Sequence, residues 1–140
     1  MKSLFHPVAA LALLALPAFA PAAFAGDAAK GESEFKKCKA CHAIVAPDGT
    51  EVQKGGKTGP NLFGVIGRPV ASVEGFGYGE SIAAVGASGK VWDEAMLAAY
   101  VADPTKWLKE TLGDSSAKSK MSFKLAKGGE DVAAYLASVK

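Results

Sequence analysis

Two thiols, an imidazole and a thioether are the side chains here best suited to hold a metal or a metal-bearing cofactor. Cys38-Lys39-Ala40-Cys41-His42 contains both cysteines of the chain, and His42 is one of two histidines, the other being His6. Thiols two residues apart suit a redox dithiol, part of a zinc site, or the attachment of a haem. A thioredoxin-like dithiol wants the pair at a helix start after a strand, within a βαβ unit. Here the pair closes a helix-forming stretch, and no such strand precedes it. A structural zinc site needs four ligands. Cys38, Cys41 and His42 supply three, and no Cys or His follows residue 42. A c-type haem uses every residue of the pattern: both thiols add across the vinyl groups, and the adjacent histidine turns under the ring onto iron. That reading leaves nothing over.

With His42 as the first axial ligand through Nε2, Nδ1 needs a backbone or water acceptor. Composition then narrows the second ligand, because His6 lies in the leader argued below. Met96 stands between Ala95 and Leu97 in a helical run, where a core role explains it. Met121 lies in Ser119-Lys120-Met121-Ser122-Phe123, a polar stretch without helical spacing, where no amphipathic face accounts for a thioether. It is the expected sixth ligand. A neutral thioether opposite histidine favours ferrous iron and raises the potential. It also fills the position where oxygen or peroxide would bind, which suits electron transfer and opposes catalysis. The competing reading is a c-haem peroxidase or gas-binding haem protein whose sixth position opens; a zinc or disulfide domain without redox work stands third.

Residues 1–25 read as a cleaved secretory signal peptide. Lys2 supplies the positive end, Val8 to Leu16 the apolar core, and Ala23-Phe24-Ala25 the small-residue cleavage pattern. The core is too short to span a membrane, and Pro7, Pro17 and Pro21 interrupt it. Export to the periplasm follows. Residues 26–140 then form one small domain with a formal charge of +1 once Lys2 is removed, which argues against nucleic acid as a partner.

The elements that must position these groups are helical. Asp27 caps a helix from Ala28 to about Lys39, anchored by Phe35. Residues 43–57 hold a turn at Pro47-Asp48-Gly49-Thr50. Residues 58–79, rich in glycine and proline, should be compact loop, and their Leu62, Phe63, Val65, Ile66, Phe76 and Tyr78 should line something. Short helices are expected over 81–85 and 93–102. Asp103-Pro104 ends the second and starts another that Gly113 closes. A last helix spans 130–139 with Val132, Leu136 and Val139 on one face. The expectation is an all-α fold of four to five helices with long loops.

Cys38 to His42 near one end and Met121 near the other, joined by Lys57-Thr58-Gly59-Pro60-Asn61-Leu62, Gly67-Arg68, Gly75-Phe76-Gly77-Tyr78 and the run from Trp92 to Trp107, resemble the class I c-type cytochromes. The larger bacterial c2 and c-550 proteins are the nearest in pattern. The resemblance covers nearly all of residues 27–140 and implies that fold, wrapped around one covalently bound haem c. It implies that Pro60 packs on the haem and accepts the His42 Nδ1 proton. Arg68, Tyr78 and Trp92 would be donors to the propionates, which need partners when held away from water. Tyr100 would lie near the methionine sulfur and Phe123 beside the exposed haem edge. Gly31, Phe35, Val132 and Tyr135 match the crossing of the first and last helices. Segments 43–57 and 108–120 are longer than in the short mitochondrial form, and Ile82 replaces a buried polar residue.

The same resemblance puts Lys37, Lys57, Lys106, Lys120, Lys124 and Lys127 around the haem edge of a monomer. Such a ring steers acidic redox partners and lets them go quickly. The implied function is an electron carrier between cytochrome bc1 and a terminal oxidase or photosynthetic reaction centre.

Overall fold

The computed structural model describes residues 26–140. The leader read over residues 1–25 lies outside them. The elements run α1 (Ala28–Glu34), β1 (Ile44–Val45), β2 (Glu51–Gln53), α2 (Glu80–Ala87), α3 (Glu94–Ala102), α4 (Pro104–Leu112) and α5 (Gly129–Ser138).

Local chemistry accounts for half of the helix ends. The Asp27 carboxylate accepts the amides of Ala29 and Lys30 at 3.0 and 3.1 Å, satisfying donors that a helix start leaves free. Asp93 does the same for Met96 at 2.7 Å. Asp103, extended at φ −157° before Pro104, stops α3 and caps α4 through Lys106 N–H at 3.0 Å. Gly113, at φ 63°, ends α4 in the left-handed conformation that a side chain disfavours. The first helix is shorter than expected: it tightens into a 3₁₀ turn at Phe35–Lys37 and then into hydrogen-bonded turns through Cys41.

The terminal helices cross at Gly31. A Cβ there would overlap the main-chain oxygen of Asp131, so only glycine allows the approach. Beside the crossing, Phe35 is fully buried with its ring 5.8 Å from that of Tyr135. Burying a phenylalanine to that extent stabilises by about 3 kcal/mol. Val132, Ala133 and Leu136 complete this part of the core.

One element was not foreseen. The turn at residues 47–50 joins β1 and β2 into an antiparallel ribbon, with Ile44 opposite Gln53 and Val45 opposite Glu51. Strands this short are held from outside. The Asn61 amide donates to Val45 O at 2.7 Å and accepts Val45 N–H at 3.0 Å, and Gln53 donates to the Tyr135 hydroxyl at 3.1 Å. The rest of the fold is helix and loop. Residues 58–79 are turns and bends as expected, apart from one isolated bridge between Pro69 and Val91.

Candidate haem site

The turn after α1 brings Cys38, Cys41 and His42 together. The amides of Cys41 and His42 both donate to Cys38 O, at 3.1 and 2.9 Å, which curls the chain so that Cys38, Cys41 and His42 line one cavity. Both thiols are unbridged. Burial pushes the Cys38 thiol up to about 11, so it is protonated at neutral pH and ill suited to the thiolate chemistry of a redox dithiol. A thioether would remove that titration altogether.

His42 is fixed by its surroundings. Its Nδ1 lies 2.8 Å from Pro60 O, and a carbonyl only accepts, so Nδ1 carries the proton and Nε2 keeps a lone pair. Burial lowers the pKa of the ring, with the Pro60 bond opposing, and the imidazole is neutral at pH 7. Gly59 lies flat against it: a Cβ there would stand 2.6 Å from Nδ1 and 2.7 Å from Nε2, closer than any real contact. The glycine of Thr58-Gly59-Pro60 is thus a condition for the ring's placement.

Met121 also lines the cavity, half-buried, although it is far from His42 in sequence. Its amide donates to Ser119 Oγ at 3.1 Å, and that hydroxyl lies 3.5 Å from the Tyr100 hydroxyl. Met96 packs against the core on α3 and is not part of the cavity wall.

The cavity has a volume of about 610 Å³, within the range typical of cofactor pockets. Pro60, Arg68, Tyr78, Trp92, Tyr100 and Phe123 all contribute to its wall. Of the apolar residues expected to line something, Leu62, Val65, Phe76 and Tyr78 do so, while Phe63 and Ile66 pack on the core instead. Leu97 and Leu108, both nearly or fully buried and not singled out from the sequence, add apolar surface. Ile82 is there too, an apolar group where a polar one was the family expectation.

The donors at the wall are partly engaged. Arg68 donates through Nη1 to Phe63 O and through Nη2 to Asn61 O, both at 3.0 Å, so it braces the loop while retaining further N–H groups. The Tyr78 hydroxyl accepts Val73 N–H at 3.1 Å, leaving its own proton to donate. Trp92 is buried and stacks on Trp107 at 5.4 Å between ring centres, with Tyr100 at 5.3 Å. Phe123 is 40% exposed and stands where the cavity wall meets the surface.

The lysines are less uniform than a ring. Lys37 and Lys120 border the cavity, and Lys120 donates to Gly77 O at 3.1 Å. Lys37 pairs with Glu34 at 2.6 Å, Lys124 with Asp103 at 2.7 Å and Lys106 with Glu110 at 3.8 Å. Lys127 lies beside α1 and the start of α5, in a separate depression with Lys30 and Asp131. Lys118, not singled out from the sequence, also borders the cavity. Lys57 and Lys118 are exposed and make no ion pair among the described residues.

Five helices and a short ribbon, with an apolar cavity walled by α2, α3, α4 and the loops and with Cys-x-x-Cys-His on that wall, define a class I c-type cytochrome fold. No family model matches the sequence. Cytochrome c2 of Rhodobacter capsulatus is 62% identical over 128 residues, covering 91% of this chain and 93% of that protein. Cytochrome c-550 of Paracoccus denitrificans is 55% identical over 139 residues, covering 98% and 88%. Among solved structures, cytochrome c2 from Rhodobacter capsulatus aligns with a TM-score of 0.81 at 65% identity, covering 81% of this chain and 98% of that one. Ferric cytochrome c-550 from Paracoccus versutus aligns at 0.79 and 61% identity, over 81% and 98%. The chain belongs to the family of bacterial cytochromes c2 and c-550. It carries one covalently bound haem c and is an electron carrier rather than an enzyme, working with redox partners. Among the described residues, no helix is long and apolar enough to cross a membrane.

Proposed function

We propose that this chain is a soluble periplasmic carrier of single electrons, with haem held by thioethers from Cys38 and Cys41 and its iron by His42 and Met121. One observation carries the reading: Cys38, Cys41 and His42 near one end of the domain and Met121 near the other line a single cavity with apolar walls. When bound, the haem iron supplies a one-electron couple. The chain does the rest. Neutral His42 offers Nε2 in an orientation held by Pro60 and Gly59. Met121 offers a soft thioether, which favours the ferrous state. Leu97, Leu108 and Val65 exclude water, so charge added to the site is poorly screened and the reduced, less charged state gains. Arg68 and Tyr78 would use their remaining N–H and O–H groups on the propionates.

A site closed on both sides does not admit a diatomic ligand. Carbon monoxide added to the reduced protein is expected to leave the visible spectrum unchanged. A carbon monoxide adduct at neutral pH would overturn the carrier reading in favour of a gas-binding or peroxidatic one.

The partners we propose are cytochrome bc1 as donor and a terminal oxidase or photosynthetic reaction centre as acceptor, met by a monomer at the Phe123 edge. Because Lys124 is tied to Asp103, which also caps α4, the cleaner probe of docking charge is Lys57 with Lys118. Lys57→Glu combined with Lys118→Glu is expected to slow association with an acidic partner about tenfold at low ionic strength, the difference shrinking as salt screens it. Equal rates measured by stopped flow at low salt would remove these lysines from the docking surface.

A further inference from the structure

The segment that carries Met121, residues 117–123, contains no helix or strand, so its own backbone does not hold a thioether in one place. Bonds to other elements must. Ala117 N–H turns back onto Asp114 O at 3.2 Å, within the same loop. The Ser119 and Tyr100 hydroxyls are 3.5 Å apart, at the long limit for such a bond. Lys120 reaches Gly77 O through a long, exposed side chain. Downstream, Leu125 N–H is fixed to Val101 O at 2.8 Å. Upstream, the short bond from this segment's main chain to a separate element is Lys118 N–H to Ser81 Oγ, at 3.0 Å.

Ser81 is well placed to hold it. It lies in the first turn of α2, a helix whose Val85 is fully buried and whose Gly86 packs so closely on Val70 O that a Cβ would overlap it. The same helix contributes Ile82 to the cavity wall. A bond from a fixed helix to the main chain three residues before Met121 limits how far the thioether can swing out. We propose that Ser81 is a positioning residue for Met121, lengthening the time its sulfur stays in the cavity. The inference rests on the Met121 ligation proposed above.

The test uses the ferric holoprotein and imidazole, at concentrations where the observed binding rate is limited by departure of the methionine. One hydrogen bond of ordinary net strength corresponds to about a fivefold change in such an opening equilibrium. Ser81→Ala is therefore expected to raise the limiting rate about fivefold and to speed hydrogen exchange at the Lys118 amide. Ser81→Thr, which keeps the hydroxyl, is expected to restore both. Alanine is a better helix former than serine, so α2 is not weakened by the change. A limiting rate unaltered in Ser81→Ala, or equally raised in Ser81→Thr, would overturn the proposal, as would a fall in melting temperature large enough to account for the rate. Two failures are distinguishable. A sulfur-to-iron band that survives Met121→Ala removes the ligation and the inference with it. A band lost in Met121→Ala together with an unchanged Ser81→Ala rate removes the inference alone.

Discussion

Met121→Ala is expected to abolish the ferric sulfur-to-iron charge-transfer band completely and to lower the reduction potential, while Met96→Ala preserves the band. Both residues are half-buried methionines, so hydrophobic burial does not separate them. Position does. Met96 packs on the core from α3, and Met121 stands on the cavity wall. With the ligation proposed above, removing the thioether would take away the group that favours ferrous iron and would leave its place to water, which favours the ferric state. Absorbance in the far red and a redox titration check both effects. A band that survives in the alanine variant at 121, or disappears in the one at 96, would reverse the assignment.

The second large effect concerns folding. Cys38→Ala with Cys41→Ala, purified free of haem, is expected to lack the native fold at room temperature. The cavity of about 610 Å³ is the reason. Unfilled, it would leave the apolar side chains of its wall without packing partners, a cost comparable with much of the about 5–15 kcal/mol stability of an ordinary domain. Water is a poor substitute, because Val65, Leu97 and Leu108 offer it no hydrogen bonds. Far-UV circular dichroism should show most of the helical signal gone and no cooperative melt. A haem-free double variant that unfolds cooperatively like the holoprotein would show that the protein packing alone is sufficient.

Helix ends were legible because their causes are local: Asp27, Asp93 and Asp103 cap amides two or three residues away, and Gly113 supplies one left-handed turn. The ribbon at residues 44–53 was not, because its strands are too short for a period to emerge. It exists through Asn61 and Tyr135, contributed by other parts of the chain. The lysines show the same division. The family resemblance implied a ring, but Glu34, Asp103 and Glu110 pair with three of these lysines, and Lys127 lies beside α1 and the start of α5.

The order of residue types already specified the kind of cofactor and most of the helices. Cys38, Cys41 and His42 lie within one turn, and their chemistry follows from residue type and spacing. It also singled out Met121 by leaving it without a local explanation. Folding in three dimensions settled which side chains surround the site, that Gly59 must be bare to admit the His42 ring, and that Lys118 rests on Ser81. Those contacts join residues far apart in the chain, and their energies depend on distance in space. No local spacing records that distance until the chain has closed around the cavity.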